Sequence, residues 1–100
     1  MAQLNSKIIC ADGFSMSVQA SSFSYCEPRI DNAEEYQKVE IGFPSDPEPL
    51  IIRYAEDPSR PTETVYGWVP VDVVLNVCAK HGGVVRGELP QGIPMLDADF

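Results

Sequence analysis

The chain contains few basic residues and a single histidine. Seven lysines and arginines stand against fifteen aspartates and glutamates, which gives a formal net charge of −8. Because phosphate backbones repel so acidic a protein, the composition disfavours direct binding to nucleic acid. His81 is the one candidate for an imidazole base, and no Gly-x-Ser-x-Gly turn or glycine-rich phosphate loop accompanies it. We therefore expect a protein without catalytic activity.

Cysteines are also few, and their spacing excludes a disulfide framework. Cys10, Cys26 and Cys78 are an odd number at irregular intervals, which is typical of a reducing compartment. With His81 they offer the ligand types of a zinc site, but structural zinc sites usually take their ligands in close pairs. Cys10 and Cys26 are sixteen residues apart. The sequence predicts buried free thiols, no bound metal and no cofactor.

Long apolar runs are absent as well. No segment reaches the length of a membrane-spanning helix, and residues 1–6 lack the basic start and apolar centre of a secretory signal. We expect a cytoplasmic protein without membrane contact. One hundred residues form one domain. We place that domain at residues 1–87 and expect residues 88–100, rich in proline, glycine and aspartate, to be a flexible acidic tail.

The clearest element that is present is a helix over residues 71–80. Its apolar positions follow the spacing i, i+3, i+4, i+7 and are Val71, Val74, Leu75 and Cys78. Pro70 suits the first helical position, because its missing N–H costs no hydrogen bond there. Gly82 and Gly83 follow the last turn and supply the positive φ that ends a helix.

The strands are predicted from alternation and turn residues. Asp12-Gly13 predicts a two-residue type I′ turn between strands at residues 7–11 and 14–20. Further strands are expected at residues 39–43, 50–54 and 62–69, with a short edge strand at Val84 and Val85. The sequence thus predicts the α+β class: a twisted, mostly antiparallel sheet of four to six strands with the helix of the C-terminal half packed on one face.

Two groups of residues are candidates for a binding surface. The first is four carboxylates on proline-bounded loops at residues 44–49 and 55–61, namely Asp46, Glu48, Glu56 and Asp57. Residues at i and i+2 of an extended segment stand about 6.6 Å apart, close to the spacing of successive phosphates on one DNA strand. Such an acidic surface serves either solubility or recognition of a basic groove. Both interpretations stay open at this stage.

The second group is Tyr66 and Trp68, which alternation places on one face of a strand. Large aromatic side chains at such positions belong most often to the core, where they bury the largest area. The alternative is that they contact a protein partner, because tyrosine and tryptophan dominate the binding energy of many interfaces. The sequence does not decide between the two.

Several segments resemble small accessory proteins of bacteriophages and prophages: residues 11–20 (ADGFSMSVQA), 39–45 (VEIGFPS), 54–57 (YAED), 65–70 (VYGWVP) and 80–83 (KHGG). The resemblance implies action inside a bacterial host cell. Among such acidic proteins one recurring role is inhibition of host defence, as in the anti-CRISPR proteins. That role would imply binding to a nucleic-acid-binding defence complex, with the acidic surface competing with nucleic acid for a basic channel. Alternatives are a phage structural or morphogenesis accessory that acts through protein–protein contacts, and, more remotely, a small hydrolase.

Overall fold

Five strands form one antiparallel sheet in the order β4-β3-β2-β1-β5. The structure is a computed structural model and describes residues 4–91 and 93. Its elements are β1 (Ile8–Cys10), β2 (Ser15–Gln19), β3 (Lys38–Gly42), a 3₁₀ turn (Ile52–Tyr54), β4 (Val65–Pro70), α1 (Val71–Lys80) and β5 (Val84–Arg86). This arrangement confirms the α+β class, with one helix in the C-terminal half.

The helix has the bounds that its pattern predicts. Val74, Val77 and Cys78 are buried in the same core as the inward side chains of the sheet. Pro70 is the last residue of β4 and caps the helix from an extended conformation, so the first helical residue is Val71 rather than Pro70. Gly82 and Gly83 have φ values of 90° and 89°. They end the helix with a hydrogen bond from the Gly83 amide to the Cys78 carbonyl.

The β1–β2 hairpin differs from the prediction in its turn. The Cys10 amide donates to the Phe14 carbonyl and the Gly13 amide to the Cys10 carbonyl, which closes a three-residue loop instead of a two-residue type I′ turn. Only Gly13 has a positive φ there. The carboxylate of Asp12 accepts a hydrogen bond from the Phe14 amide, and this local bond stabilises the wider loop.

Residues 50–54 do not form the predicted strand. Ile51 is buried and residues 52–54 make a 3₁₀ turn, so the segment crosses beside β4 with only Ala55 in a bridge, to Tyr66. The predicted strand at residues 39–43 ends one residue early, because Phe43 has a φ of 48° and its side chain is exposed. The fifth predicted strand begins at Val65 rather than Thr62.

The first part of the expected tail packs onto the domain. The Ser6 amide donates to the Glu88 carboxylate, the Glu88 amide donates to the Ser6 carbonyl, and Ile93 is buried in the core. The folded part of the chain therefore extends beyond Gly87, contrary to the boundary predicted there. Gly92 and residues 94–100 of the expected tail lie outside the described residues. Within the described part, no helix has the length and apolar composition needed to cross a membrane.

Candidate functional site

An open groove on the β4 edge of the sheet combines aromatic side chains with a carboxylate. Its volume is about 300 Å³, and it is lined by Tyr25, Tyr54, Glu56, Val65, Gly67 and Trp68. We call these six residues the aromatic groove. β4 is an edge strand, so the groove lies where a further molecule can approach.

A β-bulge places Trp68 in the groove. Ile41 pairs with Tyr66 and Val39 with Val69, so Gly67 and Trp68 stand opposite a single residue of β3. The extra residue reverses the alternation, and Tyr66 and Val69 are buried while Trp68 is about half exposed. The prediction that Tyr66 and Trp68 share one face is therefore wrong.

The backbone of Trp68 is in the left-handed region, with a φ of 50°. A bulky residue in this conformation is strained by roughly 1–2 kcal/mol, because its Cβ approaches the following carbonyl. The Trp68 amide donates a hydrogen bond of 2.9 Å to the carbonyl of Tyr25. Strain of this kind persists where the surroundings impose it, and it is concentrated at functional sites.

Tyr25 lines the aromatic groove beside Trp68. Its ring stacks on Trp68 with centroids 5.0 Å apart and planes inclined by 28°. Its amide donates to the carboxylate of Glu40. Gly67 allows this approach, since a Cβ at that position would lie 3.3 Å from the Cβ of Tyr25. The guanidinium carbon of Arg29 lies 5.5 Å from the centroid of the Tyr25 ring, over its face.

The segment after the 3₁₀ turn brings a negative charge to the groove. The Glu56 amide donates to the Val65 carbonyl, which keeps this segment beside β4. Glu56 and its neighbour Asp57 are exposed. Asp57 accepts hydrogen bonds from the amide and hydroxyl of Ser59, and the bonds from Ser59 hold the pKa of Asp57 below its usual value. Glu56 is therefore an exposed charged residue of the groove, and Asp57 is an exposed charged residue next to it in the sequence.

A second cluster joins three parts of the chain through His81. The His81 Nδ1 lies 2.6 Å from Asp12 Oδ2 of the hairpin, and Nε2 lies 2.7 Å from Glu48 Oε1 of the proline-rich loop. The other oxygen of Glu48 accepts from Lys80 Nζ and from the Leu50 amide, both at 2.9 Å. We call Asp12, Glu48, Lys80 and His81 the histidine–carboxylate network.

The pKa values in this network favour the charged forms. Desolvation opposes charge on His81, but the hydrogen bonds to Glu48 and Asp12 outweigh it and raise the pKa of the imidazole. Burial alone would raise the pKa of Glu48. The bonds from the Leu50 amide, His81 and Lys80 lower it instead. The pKa of Asp12 is lowered by the bond from the Phe14 amide and then by His81. The raised pKa of His81 and the lowered pKa values of Asp12 and Glu48 therefore favour the ion-paired form of the network.

The geometry of this network indicates a structural role. Both ring nitrogens of His81 are bonded to carboxylates, and Phe14 stacks on the ring at 4.1 Å with an interplanar angle of 12°. No ring nitrogen is left to take a proton from a substrate. The network instead ties the hairpin and the proline-rich loop to the end of α1.

The structure corrects the prediction that Glu48 is an exposed contact residue. It was expected to be displayed with Asp46 on a stiff loop, but its side chain is 1% exposed. The loop folds inward at Glu48 because Lys80, His81 and the Leu50 amide satisfy its carboxylate. A partner cannot reach this charge, so Glu48 is not part of the candidate surface.

The other predicted residues divide between surface and core. Asp46, Glu56 and Asp57 are exposed at one end of the sheet, where β3 ends and β4 begins. Trp68 lines the aromatic groove. Tyr66 is fully buried and its hydroxyl donates to the Pro61 carbonyl, which leaves no part of it for a partner.

Sequence analysis did not single out Tyr25 and Tyr54 as site residues. Tyr54 lies two residues before Glu56, and this short separation in the sequence is a signal by which Tyr54 could have been identified. Tyr25 reaches the groove through the loop between β2 and β3, and no local pattern indicates that it stacks on Trp68.

The cysteines are buried thiols. Burial raises the pKa of Cys78 to about 12 and also raises that of Cys10 and Cys26, which makes all three poor nucleophiles and poor ligands. In the part of the chain that the structure describes, no group of three or more histidine, cysteine, aspartate or glutamate side chains is placed to hold a metal ion.

A second depression, of about 260 Å³, lies between the start of the chain and residues 88–91. Glu88 is the one acidic residue that lines it, and Ser6 already donates hydrogen bonds to this carboxylate. The depression therefore has fewer side chains that could bind a ligand than the aromatic groove has. Comparison of the chain with protein-family models, curated proteins and solved structures gave no match.

Proposed function

We propose that this is a non-enzymatic binding protein that docks on a basic surface of a protein partner. The observation that supports this most strongly is Trp68, a half-exposed tryptophan held in a strained conformation beside exposed carboxylates. Strain and exposure both cost stability, and a solubility role for the acidic residues explains neither. Contact with a partner explains both, since a rigid aromatic ring contributes much binding energy for little lost entropy.

The acidic residues supply the electrostatic part of the proposed contact. Glu56 lines the aromatic groove, Asp57 follows it, and Asp46 is exposed on the loop after β3, whose Ser45 is bonded to Ser15 of β2. Charges arranged in this way accelerate association with a basic partner and make binding dependent on salt. Because a proline lies within two residues of each of these carboxylates, little loop entropy is lost on binding.

The resemblance to phage accessory proteins suggests the class of partner. We propose a nucleic-acid-binding defence complex of the bacterial host, whose basic channel the acidic surface would occupy in place of nucleic acid, as anti-CRISPR proteins do. The protein would then act in the host cytoplasm without binding nucleic acid itself.

A second candidate is a phage structural or morphogenesis accessory. Phe23 and Ile30 are exposed by 75% and 52% in the loop between β2 and β3. Apolar side chains there would suit a contact that does not depend on charge.

The test is capture from a bacterial host lysate at low and high salt, with identification of the bound proteins. Three baits are compared: the wild type, Trp68→Ala, and a triple variant with Asp46→Asn, Glu56→Gln and Asp57→Asn. We expect a nucleic-acid-binding complex that elutes at high salt and that both variants capture poorly. Salt-resistant capture of a virion protein would instead support the accessory role. Capture of neither would reject both proposals.

A further inference from the structure

We propose that the aromatic groove is a receptor for one arginine side chain of the partner protein. This inference rests on the proposed function and names the chemistry that the groove recognises. Tyr25, Tyr54 and Trp68 contribute three aromatic rings to one groove of about 300 Å³, and Glu56 contributes a carboxylate. Aromatic faces attract cations through the ring quadrupole, and the carboxylate adds an ion pair.

Charge complementarity excludes the other kinds of occupant. Glu56 lines the groove and Asp57 follows it, in a chain with a net charge of −8. A phosphate, a nucleic acid or an acidic peptide would be repelled there. A purely apolar side chain would leave the carboxylate of Glu56 without a partner in a closed contact. A cationic side chain with an apolar stem satisfies both the rings and the carboxylate.

The exposed part of Trp68 favours a guanidinium over an ammonium. Tyr25 and Trp68 cover each other where they stack, but Trp68 remains about half exposed, and a planar guanidinium stacks on such a ring with its N–H groups directed outward. The molecule already contains one example, because the guanidinium of Arg29 lies over the face of the Tyr25 ring. An ammonium is more strongly hydrated and loses more on entering such a groove.

The glycine at position 67 is part of the receptor. A methyl group there would lie 3.3 Å from the Cβ of Tyr25 and would push this ring away from Trp68. Gly67→Ala should therefore disturb the spacing of the rings without removing any ring or charge.

The experiment uses the one tryptophan of the chain as a reporter, since Trp68 lies in the groove. The full chain is titrated with three short capped peptides that are identical except for a central arginine, lysine or citrulline. Citrulline has the shape of arginine without its charge. We expect a saturable change in tryptophan fluorescence with the arginine peptide, a weaker one with lysine and none with citrulline.

Variants then locate the site. Glu56→Gln should weaken binding of the arginine peptide about threefold to fivefold, and Tyr54→Ala by a similar factor. Glu34→Gln is the matched control, because it removes the same charge from an exposed glutamate outside the groove and should leave the affinity unchanged. Gly67→Ala should weaken binding while circular dichroism shows a folded protein.

Three outcomes would overturn the inference: no saturable signal with arginine, equal binding of arginine and citrulline, or equal losses in Glu56→Gln and Glu34→Gln. These outcomes are separate from failure of the proposed function. If the wild type captures a partner in a Trp68-dependent way but the arginine peptide does not bind, only the arginine receptor is rejected. If the peptide binds as expected but lysate capture yields no partner, the receptor stands and the proposed partner class falls.

Discussion

At the scale of one residue, Trp68 combines opposing contributions to stability. Its left-handed backbone costs roughly 1–2 kcal/mol, while its stacking on Tyr25 returns about 0.5–1.5 kcal/mol. The buried half of the indole adds roughly 2–3 kcal/mol at about 25 cal/mol per Å². The ring therefore stabilises the fold, although less than a fully buried aromatic side chain does.

We predict that Trp68→Gly lowers the free energy of unfolding by roughly 1–3 kcal/mol, because the loss of the stack on Tyr25 and of the buried half of the indole exceeds the strain that glycine relieves. Urea unfolding, monitored by circular dichroism, measures this change in the free energy of unfolding. Tyr66→Ala is the comparison on the same strand and should cost about 3–5 kcal/mol, because Tyr66 is fully buried. A loss of similar size in both variants would mean that Trp68 belongs to the core.

Two glycines with similar backbone angles differ in their surroundings. Gly13 has a φ of 96° and open space at its Cβ position, whereas Gly87 has a φ of 100° and its Cβ would lie 2.2 Å from the Lys7 carbonyl oxygen. Both positions need the left-handed region. Only Gly87 also needs the absence of a side chain, because β5 and the start of β1 approach closely there.

We predict that Gly13→Ala costs about 1–2 kcal/mol of backbone strain and that Gly87→Ala costs a further 1–3 kcal/mol, roughly, for displacing β1. Thermal unfolding of both variants in parallel measures the difference. Equal melting temperatures would contradict the close approach at Gly87.

At the scale of the elements, α1 depends on its contact with the sheet. Four valines among its ten residues lower the helix propensity, so packing must stabilise it. Val74 is fully buried, and Asn76 on the same helix is exposed. These two positions allow the same residue to be introduced on opposite faces.

Val74→Asp should cost several kcal/mol, comparable with the total stability of about 5–15 kcal/mol, because it buries an unpaired carboxylate. Asn76→Asp should change stability by less than about 0.5 kcal/mol. Circular dichroism at 25 °C should show an unfolded Val74→Asp protein. A folded Val74→Asp with the melting temperature of the wild type would mean that the helix buries another face.

At the scale of the whole molecule, the histidine–carboxylate network makes stability depend on pH. The pKa of His81 is raised, so its contribution is complete below about pH 6.5 and is lost as the pH rises through the raised value. The pKa values of Asp12 and Glu48 are lowered. Their contributions are complete above about pH 4.3 and are lost as the pH falls through the lowered values. The network is therefore fully stabilising between these limits.

We predict that the melting temperature falls as the pH rises above about 6.5 and through the raised pKa of His81. The buried thiols, whose pKa values are raised, cause a separate loss of stability only above about pH 8.5. His81→Gln should remove the fall, because glutamine does not titrate. A fall of equal size in His81→Gln would assign the pH dependence to other groups.

The sequence alone determined the elements whose signals are local. The helix over residues 71–80, its glycine stop and the alternating β2 strand follow from spacing and capping within a few residues, and the structure confirms them. The net charge is likewise a property of composition. Such features need no knowledge of distant parts of the chain.

Only the tertiary structure decided which candidate residues face solvent. Glu48 is buried because Lys80 and His81, 32 and 33 residues away, neutralise its charge. Trp68 is exposed because a bulge against β3 reverses the alternation of β4. Tyr25 reaches the groove from another loop and stacks on Trp68. Each outcome depends on contacts between segments far apart in sequence, and no local pattern encodes such contacts.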